Sequence, residues 1–334
     1  MKYKYALLVI LFQFSLATVA FTQATLPMDT IPIKDEQAFD IGQGKSLVYA
    51  KPKPFAFITQ LPRATMGTVN ATFSKKSIKP LAFIAVTTGL LILADEPIAN
   101  GLQQFCRNIQ VDPTEKNKII WSIKLGSKPT TLIKAPQNIN TALYQVGQGF
   151  PGLLLGAGMF AYGKINHNYR ATRTASQLAE TFILMGATTQ VLKRITGRQS
   201  PQPGNENSNQ WHFFPSFSAY QKNTPRYDAF PSGHLATLMS TVTILTENYP
   251  EKKWIKPVGY SVTGLVALSM INNGAHWASD YPLALGLGYL CARQVAKLNR
   301  QLVNKNTTAK NLNRLRVSLQ YVNGHIMPAS IYKL

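Results

Sequence analysis

The chain has 334 residues, of which 35 are Lys or Arg and 14 Asp or Glu, so its formal net charge is +21, compatible with a nucleic-acid, anionic-membrane or phosphate-bearing partner. Hydrophobic residues make up 45% and charged residues 15%, a balance that excludes disorder over most of the length. Two cysteines, Cys106 and Cys291, exclude a disulfide framework and a Cys-rich metal centre and leave at most one bridge.

Lys2 and Lys4 precede an uncharged stretch from Tyr5 to Met28 that holds LLVILFQF and then Ala17, Ala20 and Ala24. A basic start, an apolar middle and small residues predict a secretory signal peptide over 1–24, with an uncleaved anchor helix as the alternative. Export sets aside a role with intracellular DNA or RNA, so no nucleic-acid partner is expected. Residues 25–79 contain Pro27, Pro32, Pro52, Pro54 and Pro62 and no sustained period, which predicts an irregular leader.

Six uncharged runs follow: Pro80–Ala94, Ala135–Gly163, Thr181–Leu192, Ala229–Thr246, Pro257–Ser279 and Tyr281–Ala292. They are rich in Gly, Ala, Ser and Thr, as in helices that pack closely, and only some reach the ~20 residues needed to cross a bilayer. The expected fold class is all-α, a bundle of about six helices over 80–297, membrane-embedded despite a mean hydropathy of −0.05. A basic tail over 298–334 completes the chain.

Lys164, Arg170 and Arg173 follow the second run, and Lys252, Lys253 and Lys256 follow the fourth beside Glu247 and Glu251; residues 293–334 hold eight Lys/Arg and no acid. Positive charge favours the cytoplasmic side, which turns the other helix ends outward, provided that the short Pro80–Ala94 run is a peripheral helix and does not cross. The almost forty residues between Lys193 and Ser232 are long enough for a functional loop. Its aromatics, Trp211, Phe213, Phe214, Phe217, Tyr220 and Tyr227, either cover a substrate or fold the loop on itself. Weak alternation around Asn323-Gly324 predicts a C-terminal hairpin. His167 and His212 have no partner visible in the sequence and are expected at the surface.

Three segments place ionisable groups at the ends of apolar runs: Lys193-Arg194-Ile-Thr-Gly-Arg198-Gln-Ser-Pro201, Pro231-Ser232-Gly233-His234, and Asn273-Gly-Ala-His276-Trp-Ala-Ser-Asp280. His276 and Asp280 stand four apart, so one helical turn brings them within hydrogen-bonding reach, and a carboxylate there fixes the imidazole tautomer. Pro-Ser-Gly-His opens a helical run, and free N–H groups at a helix start form an anion site.

In order and spacing these segments resemble the type 2 phosphatidic acid phosphatase (PAP2) superfamily, which includes bacterial acid phosphatases and vanadium haloperoxidases. The resemblance spans roughly residues 140–295. It implies that His276 attacks phosphorus to form a phosphohistidine, that Asp280 orients it, and that His234 protonates the leaving group. It also implies phosphate contacts from Lys193, Ser232 and Gly233, with no metal and no cofactor. Two positions depart from the pattern: Ser200 stands before Pro201, and Met270 after Ser269, where the family has arginines. Each missing guanidinium would give paired charge-assisted bonds to phosphate; Arg198 and Arg226 are the candidates to substitute. The losses also weigh against a haloperoxidase.

The expected activity is therefore hydrolysis of a phosphomonoester or diphosphate, of a phosphorylated lipid at the outer face of the inner membrane. The alternatives are a soluble periplasmic acid phosphatase acting on a small phosphate ester, and a non-catalytic relative that binds a phospholipid.

Overall fold

A computed structural model describes residues 35–125, 128–201, 209–298, 300–304, 316–322 and 325–331. The signal-peptide segment 1–24 lies outside the described residues. Strands β1 (Glu36–Gly42) and β2 (Lys45–Ala50) form a hairpin, followed by helices α1 (Ala56–Thr59), α2 (Leu61–Thr72) and α3 (Ile78–Asn108). A second hairpin, β3 (Asn117–Leu125) with β4 (Lys128–Pro136), leads into α4 (Ile139–Val146), α5 (Gly149–Ile165) and α6 (Tyr169–Thr196). Then come α7 (Phe217–Lys222), α8 (Gly233–Asn248), α9 (Ile255–Asn272) and α10 (Tyr281–Leu298). Strand β5 (Gln301–Asn304) and the pair β6 (Arg316–Val322) and β7 (His325–Ile331) end the described chain.

The expected helical bundle is present. Each apolar run maps onto one of six long helices, α3, α5, α6, α8, α9 or α10, with the run Ala135–Gly163 also supplying α4. Leu155, Met159, Leu178, Met185, Leu235, Ile244, Val266 and Cys291, drawn from five of these helices, share one buried core. Small residues set the spacing: a Cβ added to Gly288 of α10 would lie 2.3 Å from the Ala236 carbonyl oxygen of α8. Cys106 and Cys291 are both free and buried, so the single bridge left open by the count does not form.

The leader carries regular structure from residue 35 onward, against the expectation of an irregular segment. Gly42 and Gly44, both at positive φ, turn β1 into β2, and Phe39, Leu47 and Tyr49 point inward as a small core against Tyr169. Pro52 and Pro54 fall just beyond β2 and Pro62 at the start of α2, positions where a missing N–H costs nothing. Strand β5, from the basic tail, pairs antiparallel with β2. The C-terminal hairpin is present as the antiparallel pair β6 and β7, with Val322 opposite His325; Asn323-Gly324 lies outside the described residues.

Arg170, expected as a cytoplasmic loop charge, is buried. Its guanidinium lies 3.9 Å from the Tyr249 ring, its Nε donates to the Asn248 carbonyl at 2.6 Å, and its Nη2 reaches both Glu251 oxygens at 2.8 Å. This clamp ties the start of α6 to the end of α8.

The run Pro80–Ala94 is not a short peripheral helix. It continues through Pro97 to Asn108 as the 31-residue α3, about 46 Å long at 1.5 Å per residue. Among the described residues, this is the one helix long and apolar enough to cross a membrane. Phe83, Val86, Leu90 and Leu93 stand exposed along it. Asp95, which ends the apolar run, lies within this helix and turns inward to buried partners.

Candidate active site

The site lies where the C-terminal end of α6, the N-terminal end of α8 and the turn between α9 and α10 meet. Gly197, at φ +50°, ends α6 in the left-handed conformation that glycine adopts without a Cβ clash. The chain turns there, and Lys193 in the last turn of α6 points inward, its Nζ donating to Asp228 Oδ2 at 2.6 Å. Tyr220 donates its hydroxyl to the other oxygen of Asp228. Ser232 caps α8 by accepting the Leu235 N–H, so Gly233 and His234 occupy the first turn, where backbone N–H groups have no intrahelical acceptor.

His276 sits in the turn after α9. Its Nδ1 lies 2.8 Å from the Ala229 carbonyl and 3.3 Å from Asp280 Oδ2. Both neighbours are acceptors, so Nδ1 carries the proton and the Nε2 lone pair is free. Asp280 is held in turn by the Trp277 N–H at 2.8 Å and by Arg198 Nη1 at 2.6 Å. The His234 ring stands 6.0 Å from the His276 ring and 4.4 Å from Tyr144, and its Nε2 is buried without a hydrogen-bond partner. Burial first, then the neighbouring His276 ring and the Lys193 ammonium, push the His234 pKa down to about 3. In the empty site it is a neutral imidazole.

These groups line a cavity of about 1450 Å³. Lys193, Gly233, His234 and His276 form its polar floor, together with Ser200 and Asp228, while Leu153, Phe182, Ile183 and Met185 of α5 and α6 form an apolar wall. Asp280 and Ser232 are fully buried beneath this floor.

Three expected phosphate contacts are corrected. The Ser232 hydroxyl is fully buried, caps α8 and does not line the cavity. Arg198 does not face the cavity: it is fully buried, with Nη1 on Asp280 and Ser279 and Nη2 on Asp95 and Asn209, each at 2.6 Å. Two carboxylates hold it behind His276 rather than in front of it. Arg226 is exposed and donates through Nε to His212 Nε2 at 3.4 Å, outside the cavity lining. His212 therefore has a partner after all. Of the two arginine-replacing residues, Ser200 lines the cavity, whereas Met270 is fully buried in the core with its sulfur 3.8 Å from Ser232 Oγ. The loop aromatics divide: Trp211 stacks at 4.8 Å on Arg198 and Tyr220 and Tyr227 pair at 6.4 Å, folding that part of the loop on itself, whereas Phe213, Phe214 and Phe217 are exposed.

The sequence reading missed Asp228 and Asp95. Asp228 is one of two acids in the long loop, and Asp95 directly ends an apolar run; each position was a signal, but neither partner is near in sequence.

Residues 174–303 match the family model described as PAP2 superfamily. A stretch of 76 residues is 32% identical to the lipid A 1-phosphatase of Porphyromonas gingivalis, covering 22% of this chain and 17% of that protein. The chain thus spans about a sixth of the length of that curated relative. Among solved structures, LpxE of Aquifex aeolicus is similar at 21% identity over 47% of this chain and 83% of that one, with a TM-score of 0.36. The PAP2-type phosphatidylglycerolphosphate phosphatase of Bacillus subtilis is similar at 15% identity over 72% of this chain and 94% of that one, with a TM-score of 0.33. The matched segment 174–303 contains all three motifs in order, from Lys193 to Asp280, and it is this segment, about two fifths of the chain, that is similar to the PAP2 superfamily.

Proposed function

We propose that the protein removes phosphate from an amphiphilic phosphate ester by way of a phosphohistidine. The observation that carries this reading is the fixed tautomer of His276, whose Nδ1–H is engaged by Ala229 and Asp280 while the ring borders the cavity beside Lys193 and His234. The Nε2 lone pair attacks phosphorus, the bond to the leaving oxygen breaks, and protonated His234 supplies that oxygen's proton. Water then attacks the phosphohistidine with His234 as base, which breaks the N–P bond, frees phosphate and returns the proton. Lys193 and the Gly233 N–H are placed to hold the phosphoryl oxygens as charge develops. His234, neutral in the empty site, gains its proton when a phosphate dianion enters, because the anion reverses the local field.

The lipid character of the substrate is supported by the apolar wall from α5 and α6, by the exposed apolar face of α3 and by the relative named as a lipid A 1-phosphatase. We place the protein in the inner membrane with Lys164, Lys252, Lys253 and Lys256 at the cytoplasmic end and the site at the periplasmic end. A crossing α3 sets the leader, whose Tyr49 bonds Asn248, at the cytoplasmic end as well, so this placement rests on charge and not on a cleaved signal peptide. The test is phosphate release by detergent-purified protein over lipid phosphates, lipid diphosphates and soluble esters, with His276→Ala as control. Release lost in the variant supports the histidine mechanism, and the best substrate separates the lipid reading from that of a soluble acid phosphatase.

A second reading, a phospholipid binder without turnover, is favoured by one observation: Ser200 and Met270 leave Lys193 as the one cation bordering the cavity among the described residues, and Asp228 occupies it. Binding of a lipid phosphate with no release above His276→Ala would establish that reading.

A further inference from the structure

Behind His276 lies a buried chain of charges that the three motifs do not contain in full. Asp95 projects from α3, and its Oδ2 accepts from Arg198 Nη2 at 2.6 Å and from the Ser279 hydroxyl at 2.5 Å, while its Oδ1 accepts the Ser279 N–H at 3.0 Å. The other arm of Arg198 bonds Asp280 Oδ1 at 2.6 Å. The Arg198 carbonyl accepts the Ala229 N–H at 3.0 Å, and it is the Ala229 carbonyl that receives the His276 Nδ1–H. Arg198 therefore holds both acceptors of the imidazole, one through its side chain and one through its backbone, and Asp95 holds Arg198. The side chains of Asp95, Arg198 and Asp280 are 0% exposed, so solvent does not screen them.

We infer that Asp95 is a positioning residue of this site, which supplies a second carboxylate so that the buried cluster reaches neutrality only when the His276 ring is positively charged. Asp95 and Asp280 carry two negative charges and Arg198 one positive charge, leaving the cluster one charge short beside a neutral imidazole. Forming the N–P bond places a positive charge on the imidazole ring and removes that imbalance. The remaining charges facing His276 do not cancel it: Lys193 is paired with Asp228 at 2.6 Å, and the His234 ring at 6.0 Å is neutral in the empty site. A lone Asp280 with Arg198 at 2.6 Å would be a neutral pair and a weak support for an imidazolium; the second carboxylate restores that support. The same contact ties the nucleophile to α3, the helix with the exposed apolar face.

The inference rests on the phosphatase reading, and its test separates the two. Asp95→Asn keeps the shape and removes the charge. It should lower kcat/KM about 10- to 100-fold and move the acid limb of the kcat/KM profile down by about one pH unit, since a lost nearby anion destabilises the imidazolium. Asn209→Asp adds a carboxylate at the other side of Arg198 Nη2, 2.6 Å away in the native amide contact, and should move the acid limb up. The double variant should return it towards the wild-type position. An acid limb that stays fixed in both single variants would reduce Asp95 to a packing role and overturn the inference. Should Asp95→Asn fail to fold, Asn209→Asp alone decides, because it leaves Asp95 in place. Absence of wild-type turnover would instead sink the phosphatase reading. The coupling is then read from the NMR titration of the His276 ring, which must fall in Asp95→Asn and rise in Asn209→Asp.

Discussion

Asp228 competes with the ligand for the cation that the site needs, and Asp228→Asn exposes the cost. The Lys193 side chain is 6% exposed and that of Asp228 27%, with 2.6 Å between their charged atoms. Deleting one partner of a fully buried pair costs about 3–5 kcal/mol; partial exposure of Asp228 lets water reach the lysine, so about 2 kcal/mol is expected here. The empty variant should therefore melt below the wild type. In the wild type an incoming phosphate shares the Lys193 ammonium with the carboxylate, whereas in the variant it meets an unpaired ammonium, so up to the same ~2 kcal/mol reappears as tighter binding, at most about 30-fold. Thermal unfolding and isothermal titration with inorganic phosphate and with vanadate, on the detergent-solubilised protein, measure both quantities. A lower melting temperature in the empty variant together with a larger ligand-induced rise is the expected pair of results. Weaker phosphate binding in Asp228→Asn would refute the reasoning, because it would mean that the carboxylate aims Lys193 at the ligand instead of competing with it.

Phosphate binding near neutral pH should take up about one proton, since His234, held down to about 3 in the empty protein, becomes cationic beside the anion; titration calorimetry in buffers of different ionisation enthalpy counts it. Without ligand, the same group makes stability fall with acid. The unfolded histidine binds its proton below about 6.5 while the folded one stays neutral to about 3, so stability drops as pH falls through that window, and His234→Gln should flatten the slope. Ser200→Arg, at a cavity-lining position, should tighten phosphate binding about tenfold or more through a charge-assisted bond of about 1.5–3 kcal/mol. Met270→Arg should instead lower the melting temperature sharply, because Met270 is fully buried in the apolar core and an unpaired guanidinium there is costly. Gly288→Ala puts a methyl 2.3 Å from the Ala236 carbonyl oxygen; a loss of about 1–3 kcal/mol is expected from overpacking, with reduced phosphate binding as the start of α8 shifts.

The helical class and the main site groups were legible in the sequence because both are local. Uncharged runs rich in small residues predict packed helices, and each became a helix. Pro-Ser-Gly-His predicts a helix start, and Ser232 does cap α8. The four-residue step from His276 to Asp280 predicts their contact, which forms at 3.3 Å although through a turn rather than a regular helix. The hairpin of β1 and β2 was not legible: it rests on Phe39, Leu47 and Tyr49 packing near Tyr169, 120 residues or more away in sequence.

Only the tertiary structure decided which way the charges face. In the sequence Arg198 and Arg226 stand equally well placed to replace missing arginines; in the fold one is buried between Asp95 and Asp280 and the other lies outside the cavity. Asp95 is 103 positions from Arg198, and Asp228 is 35 from Lys193, so neither contact follows from any local spacing. A buried charge takes whichever partner the packing brings within reach, because leaving it unpaired costs far more than any local preference can offset. Helix periodicity and capping are properties of neighbouring residues, and a sequence determines them; the pairing of ions in a core is set by the arrangement of the helices.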